Sequence, residues 1–122
     1  MPTLSRELRR RARKIKLLLM DVDGVMTDGH IYYLADSVDD RLIETKGFHS
    51  RDGLGIRLAH EAGLKTGVIS GRTSPIVEYR VRELGMHYAE LDTLEKLGAY
   101  ERIIFAAEVR HDQVAYIGDD VV

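Results

Sequence analysis

The chain has 122 residues, is 44% hydrophobic and 31% charged, carries a formal net charge of −2 and contains no cysteine. That length holds one ordinary domain, and the composition supports a packed core rather than disorder. The missing thiols exclude disulfides, thiolate metal sites and cysteine nucleophiles. No apolar run is long enough to span a bilayer and no apolar signal segment follows the basic start, so a cytoplasmic protein without a membrane partner is expected.

Charge is unevenly spread. Residues 1–16 hold Arg6, Arg9, Arg10, Arg11, Arg13, Lys14 and Lys16 against Glu7 alone. Of the chain's 18 basic and 20 acidic residues this leaves 11 and 19, so the remainder carries a net of −8. Residues 1–14 therefore read as a basic arm on an acidic body, residues 15–122. Ser5 is placed to cap a helix there. The arm lacks the interleaved aromatics of a stacking surface, so no nucleic-acid partner is expected.

Residues 15–20 form a short apolar run without alternation, the pattern of a strand buried on both faces in a parallel sheet. It ends in DVDGVMTDG, a loop rich in Asp and Gly. Residues 30–34 and 42–48 read as two strands of a β-hairpin about the turn ADSVDD. Residues 53–62 are helical in pattern and stop at Gly63. A second short strand, 65–69, ends in SGRTSP, where Ser74 and Pro75 read as N-cap and first helical residue of a helix reaching Leu84. A short strand at 87–89, a helix over 93–108 and an apolar strand at 114–117 complete the order, the last ending in GDD. Strands alternating with helices predict an α/β, Rossmann-like parallel sheet with helices on both faces, to which the hairpin adds a flap. The chain ends three residues into the segment after the last strand motif, which reads as a domain shortened at its C-terminus.

Polar clusters follow three of the apolar strands: Asp21 and Asp23, then Ser70, Gly71 and Arg72, then Asp119 and Asp120. In an open parallel sheet these loops share one edge, where ligands bind. Lys96, early in the last helix, can reach the same place. Carboxylates gathered there repel one another unless a hard divalent cation such as Mg²⁺ relieves them, and such a cation works on phosphates. Each residue alone has a plainer reading: Asp-Gly is an ordinary turn pair, Arg72 suits a surface ion pair, and Lys96 a solvated helix face. Rival motifs fail: an EF-hand loop from Asp21 has Met26 where Gly is required, and a P-loop has His30 where Lys is required. Of the five histidines, only His30 and His49, which flank the hairpin, fall near the expected site.

LLLMDVDGVMTDG, KGFHSRDGLGIRLA, GVISGRTS, EKLGA and VAYIGDD together resemble the haloacid dehalogenase (HAD) superfamily of phosphatases. The RDGLGI stretch after the hairpin is similar to its capless branch acting on sugar-acid phosphates. The resemblance covers residues 15–122 and implies a Mg²⁺-dependent phosphoric monoester hydrolase. It implies Asp21 as nucleophile and Asp23 as general acid and base. Asp21, Asp119 and the backbone carbonyl of Asp23 would be the Mg²⁺ ligands, with Asp120 bound through water or standing behind them. Ser70 and Lys96 would hold phosphoryl oxygens, with Thr27 and the backbone at Gly71 beside the substrate. Arg51 and Arg72 are candidates for a sugar carboxylate or phosphate, which Arg binds bidentately.

The implied substrate is 3-deoxy-D-manno-octulosonate 8-phosphate, an intermediate toward lipopolysaccharide, with a sialic-acid-type 9-phosphate as the near alternative. The family implies a homotetramer assembled through the hairpin, in which a neighbouring subunit closes the site. It also continues for several elements beyond GDD. A chain ending here is expected to expose Val114, Tyr116 and residues 103–105 and to be marginally stable. A two-component receiver domain is a reading of another class. It needs an adjacent acidic pair after the first strand, where Val22 intervenes, and an Asp after the middle strand, where Ser70 stands. An inactive relative serving as an interaction module is the third reading.

Overall fold

The computed structural model describes residues 3–119. Helix α1 (Arg6–Arg13) starts at Ser5, whose Oγ accepts the Leu8 N–H at 3.1 Å. No residue of α1 is buried, and Glu7 pairs with both Arg10 and Arg11 on its surface.

Strand β1 (Leu17–Met20) is the centre of the fold. It pairs in parallel with β4 (Lys65–Ile69) on one side and β6 (Val114–Ile117) on the other, and β4 pairs in parallel with β5 (Tyr88–Glu90). The order across the sheet is β5-β4-β1-β6. Because side chains alternate along a strand, β1 serves two cores. Leu17 and Leu19 pack with Ile69 against Ala99, Ile103 and Ala107 of helix α4 (Lys96–Ala107). Met20 and Val68 pack on the opposite face against Val77 and Val81 of helix α3 (Pro75–Glu83). This is the expected parallel sheet covered by helices on both faces. Between β1 and β5 the sheet closes only over a glycine: a Cβ at Gly67 would lie 2.9 Å from both Leu19 Cδ2 and Tyr88 Cβ.

The hairpin stands apart as a two-stranded antiparallel sheet, β2 (Tyr32–Asp36) and β3 (Arg41–Thr45). Its turn is set by Asp36, whose Oδ1 accepts the Val38 N–H at 2.9 Å and the Asp39 N–H at 3.3 Å, an ordinary use of Asp at a turn. Tyr33, Leu34 and Leu42 are more than half exposed. At its foot an isolated antiparallel bridge joins Phe48 to Thr27.

Several boundaries differ from the sequence reading, each for a local reason. Helix α2 (Ser50–Glu61) starts three residues before Gly53, because the His49 ring accepts the Arg51 N–H at 3.1 Å and caps the first turn. Ser74 precedes Pro75 at the start of α3 but makes no side-chain capping bond. Helix α4 starts at Lys96 rather than residue 93, since the Thr93 N–H donates to the Ser70 carbonyl at 3.0 Å and so belongs to a loop between strand ends. Ile103, expected at the surface, is buried under β1, whereas Phe105 is 87% exposed and Tyr116 nearly half exposed.

Candidate active site

Parallel strands direct their C-terminal ends to one edge, so the loops that leave β1, β4 and β6 meet there. Asp21 is held directly after β1 by its N–H, which donates to the Ile117 carbonyl of β6 at 2.9 Å. Residues Val22–Met26 make an irregular helical turn, with Asp23 and Gly24 away from helical angles and Gly24 at φ +79°. Ser70 comes directly after β4, its N–H on the Glu90 carbonyl at 2.9 Å and its Oγ accepting the Arg72 N–H at 3.2 Å. Asp119 lies just past β6, and Lys96 is the first residue of α4.

Asp21, Asp23, Ser70, Gly71, Arg72, Lys96 and Asp119 line one cleft of 210 Å³. Asp21 is only 5% exposed at its floor. Its Oδ1 accepts from Lys96 Nζ at 3.2 Å and from the Tyr116 hydroxyl. Burial first, and then the hydrogen bond to Asp21, push the Tyr116 phenol well above its ordinary range, so it stays a proton donor to that carboxylate. Asp23, more open to the cleft, is paired with Lys46 at 2.7 Å. Arg72 lies 3.9 Å from Glu44 of the hairpin.

Two sequence candidates stand elsewhere. Thr27 is buried, and its Oγ1 accepts the N–H groups of Gly24 and Gly29, each at 3.2 Å. That hydroxyl oxygen closes the turn carrying Asp23. Arg51 is exposed in the first turn of α2, outside the cleft lining, because the helix begins ahead of it. Asp120 lies outside the described residues. His30 and His49 do not line the cleft either: His30 pairs with Asp28 at 3.2 Å, and His49 caps α2. The sequence reading missed Lys46 and Tyr116. A lysine at a strand end and a tyrosine on a strand carry no signal of tertiary pairing. The only hint is that the hairpin and the GDD strand both flank the expected site.

The donors fit a hard divalent cation. They are oxygens only, and Asp119 comes so close to the DVDG turn that a Cβ at Gly24 would lie 1.8 Å from its Oδ2. The described residues form no group of three metal-ligating side chains. Mg²⁺ does not require one, since it is held by one or two carboxylates and keeps several waters.

No family model matches the chain. It is 41% identical over 115 residues to the 3-deoxy-D-manno-octulosonate 8-phosphate phosphatase KdsC of Haemophilus influenzae, across 94% of this chain and 61% of that protein. The crystal structure of the Yersinia pestis phosphatase of the same name superposes with a TM-score of 0.87 at 36% identity, over 97% of this chain and 61% of that one. The Moraxella catarrhalis phosphatase of that name, in complex with a magnesium ion, a phosphate ion and KDO, gives a TM-score of 0.85 at 35% identity, over 97% and 65%. The chain thus spans about three fifths of the length of the curated relatives it matches. With sequence likeness running through nearly the whole chain and the same order of strands and helices beneath it, the chain belongs to the haloacid dehalogenase superfamily, on the branch of the KdsC phosphatases.

Proposed function

We propose that the protein hydrolyses a sugar-acid phosphate, 3-deoxy-D-manno-octulosonate 8-phosphate, to KDO and phosphate. One observation carries this reading: two carboxylates from one loop, a third from the neighbouring strand, a serine, an arginine and a lysine converge on a single small cleft. The Asp21 carboxylate attacks phosphorus. The bond from phosphorus to the sugar oxygen breaks with its electron pair on oxygen, and the Asp23 carboxyl group delivers the proton. The aspartyl-phosphate is then attacked by water, whose proton Asp23 takes back, and phosphate leaves with Asp21 restored. Ser70 and Lys96 hold the phosphoryl oxygens, and the backbone at Gly71 adds to that cradle. Asp21, Asp119 and the Asp23 backbone carbonyl would hold Mg²⁺, with Asp120 either bound through water or supporting them; when bound, the ion would neutralise charge on the phosphoryl group.

The cleft is smaller than the roughly 300–1,000 Å³ of most small-molecule sites, so it suits the phosphoryl head alone. The sugar then lies toward the hairpin, where Arg72 is the donor for its carboxylate; Arg51 is the second candidate. Phosphate release from a panel of sugar-acid phosphates by the intact protein tests the reading. Turnover of the 8-phosphate that depends on added Mg²⁺ is expected. Faster turnover of N-acylneuraminate 9-phosphate would move the assignment to the alternative substrate, and no release from any of them would end it. A cytoplasmic location belongs to the same proposal, and no described helix is long and apolar enough to cross a membrane.

We also propose that the hairpin is covered by further copies of the chain in a homotetramer. Exposed apolar residues on both of its strands and unpaired strand edges favour association. Light scattering is expected to give a mass above the monomer at micromolar concentration; a stable monomer rejects the assembly.

A further inference from the structure

Lys46 is a charged side chain with almost no water. Its side chain is 1% exposed, and Nζ lies 2.7 Å from Asp23 Oδ1, its only carboxylate partner among the described residues. It stands one residue past the end of β3, at the foot of the hairpin. Two residues on, Phe48 bridges to Thr27, and Thr27 closes the turn that carries Asp23. Gly47, between them, lies beside Asp28, whose Oδ2 would be in ordinary contact with a Cβ there at 3.4 Å. The foot of the hairpin and the DVDGVMTD loop are therefore built as one unit, and Lys46 is the side chain that reaches from one to the other.

A lysine buried this way is costly unless its ammonium is well paired, and an apolar side chain of its length would fill the space at no such cost. Stability alone does not account for it. Asp23, in turn, has 41% of its side chain open to the cleft and no other ion-pair partner among the described residues. Asp21 and Asp23 are thus held by different elements, Asp21 by Lys96 of α4 and Asp23 by Lys46 at the foot of the hairpin.

We infer that Lys46 is a positioning residue that fixes the Asp23 carboxylate over the cleft and makes its placement follow the hairpin. Any movement of the hairpin foot moves Lys46 and, through it, Asp23. The hairpin contributes geometry to the reaction as well as cover for the site. The inference rests on the proposed role of Asp23, but the tether itself has a readout that does not.

The test compares Lys46→Met, Lys46→Arg and Asp23→Ala with the unmodified protein. Amide hydrogen exchange over residues 41–48 reads the tether. Cutting it from either end, by Lys46→Met or Asp23→Ala, should speed exchange there about tenfold, while residues of β1 and β4 stay protected. In the phosphatase assay Lys46→Met should lower kcat about a hundredfold, the scale of a displaced reacting group, with KM nearly unchanged. Lys46→Arg, which keeps a donor of similar reach, should recover much of that loss. A purely structural lysine would give the reverse: a shifted melting temperature, no split between kcat and KM, and no rescue. Unchanged exchange over 41–48 in both cut variants overturns the inference, and so does an unaltered kcat in Lys46→Met. If the unmodified protein releases no phosphate, the functional proposal fails and the exchange arms alone decide the tether. Should Lys46→Met fail to fold, exchange over residues 41–48 in Asp23→Ala decides the tether, and unchanged exchange there overturns it.

Discussion

Asp21→Asn is expected to abolish phosphate release, with a fall in kcat on the order of 10⁴-fold or more, while the protein keeps its fold. The amide has nearly the shape of the carboxylate it replaces, so the buried floor of the cleft is undisturbed. What disappears is chemistry: an amide oxygen does not form the acyl phosphate through which the proposed reaction is divided. The same change weakens the site electrostatically, because Lys96 Nζ and the Tyr116 hydroxyl both donate to Asp21 Oδ1. Circular dichroism and a melting curve close to those of the unmodified protein, together with loss of turnover, are the expected pair of results. Substantial Mg²⁺-dependent turnover by this variant would mean that the nucleophile lies elsewhere.

Gly24→Ala is expected to weaken Mg²⁺ binding at least about tenfold, equivalent to roughly 1.4 kcal/mol. Two effects combine. Gly24 sits at φ +79°, where an L-residue with a Cβ costs about 1–2 kcal/mol. The added methyl would also lie 1.8 Å from Asp119 Oδ2 and 2.7 Å from its Cγ. A short side chain on a strand end can relieve that only by rotating away from the DVDG turn, which takes one carboxylate from the proposed ligand set. Titration of the melting temperature with Mg²⁺ separates the two. The strain lowers the temperature at all concentrations, whereas loss of the ligand flattens its dependence on Mg²⁺. An unchanged Mg²⁺ dependence would remove Asp119 from the ligands.

Much of this architecture is legible in the sequence because its signals are local. LLLM reads as a strand buried on both faces, and it is one: Leu17 and Leu19 serve one core and Met20 the other. Lys65–Ile69 and Val114–Ile117 also read with their observed bounds, each a short run that stops where a polar, Gly-containing loop begins. The convergence of Asp21, Ser70 and Asp119 comes from parallel strands ending on one edge. What stays hidden depends on distant partners. The pairing of Lys46 with Asp23 spans a hairpin, and a lysine beside a strand reads as solvated wherever its partner is unknown. Thr27 sits among the right neighbours, but only the fold shows its hydroxyl committed to two backbone N–H groups. Helix starts differ because His49 and Thr93 are spent on capping and loop closure, which no periodicity records.

The place of β6 beside β1 has a consequence for the order in which the protein is made. Leu17 pairs with Val114 and Met20 with Ile117, so the strand made first is completed by the last described one. At about 5–20 residues per second, β1 leaves the ribosome roughly 5–20 s before its second neighbour exists. During that interval one edge of the central strand is bare, and loop closure over nearly the whole chain must precede the pairing that covers it. Asp21 takes its final backbone position only then, since its N–H is held by the Ile117 carbonyl. Assembly of the proposed site therefore waits for β6, and a nascent chain that still lacks this strand has not yet brought Asp21 to the place it holds beside Asp119.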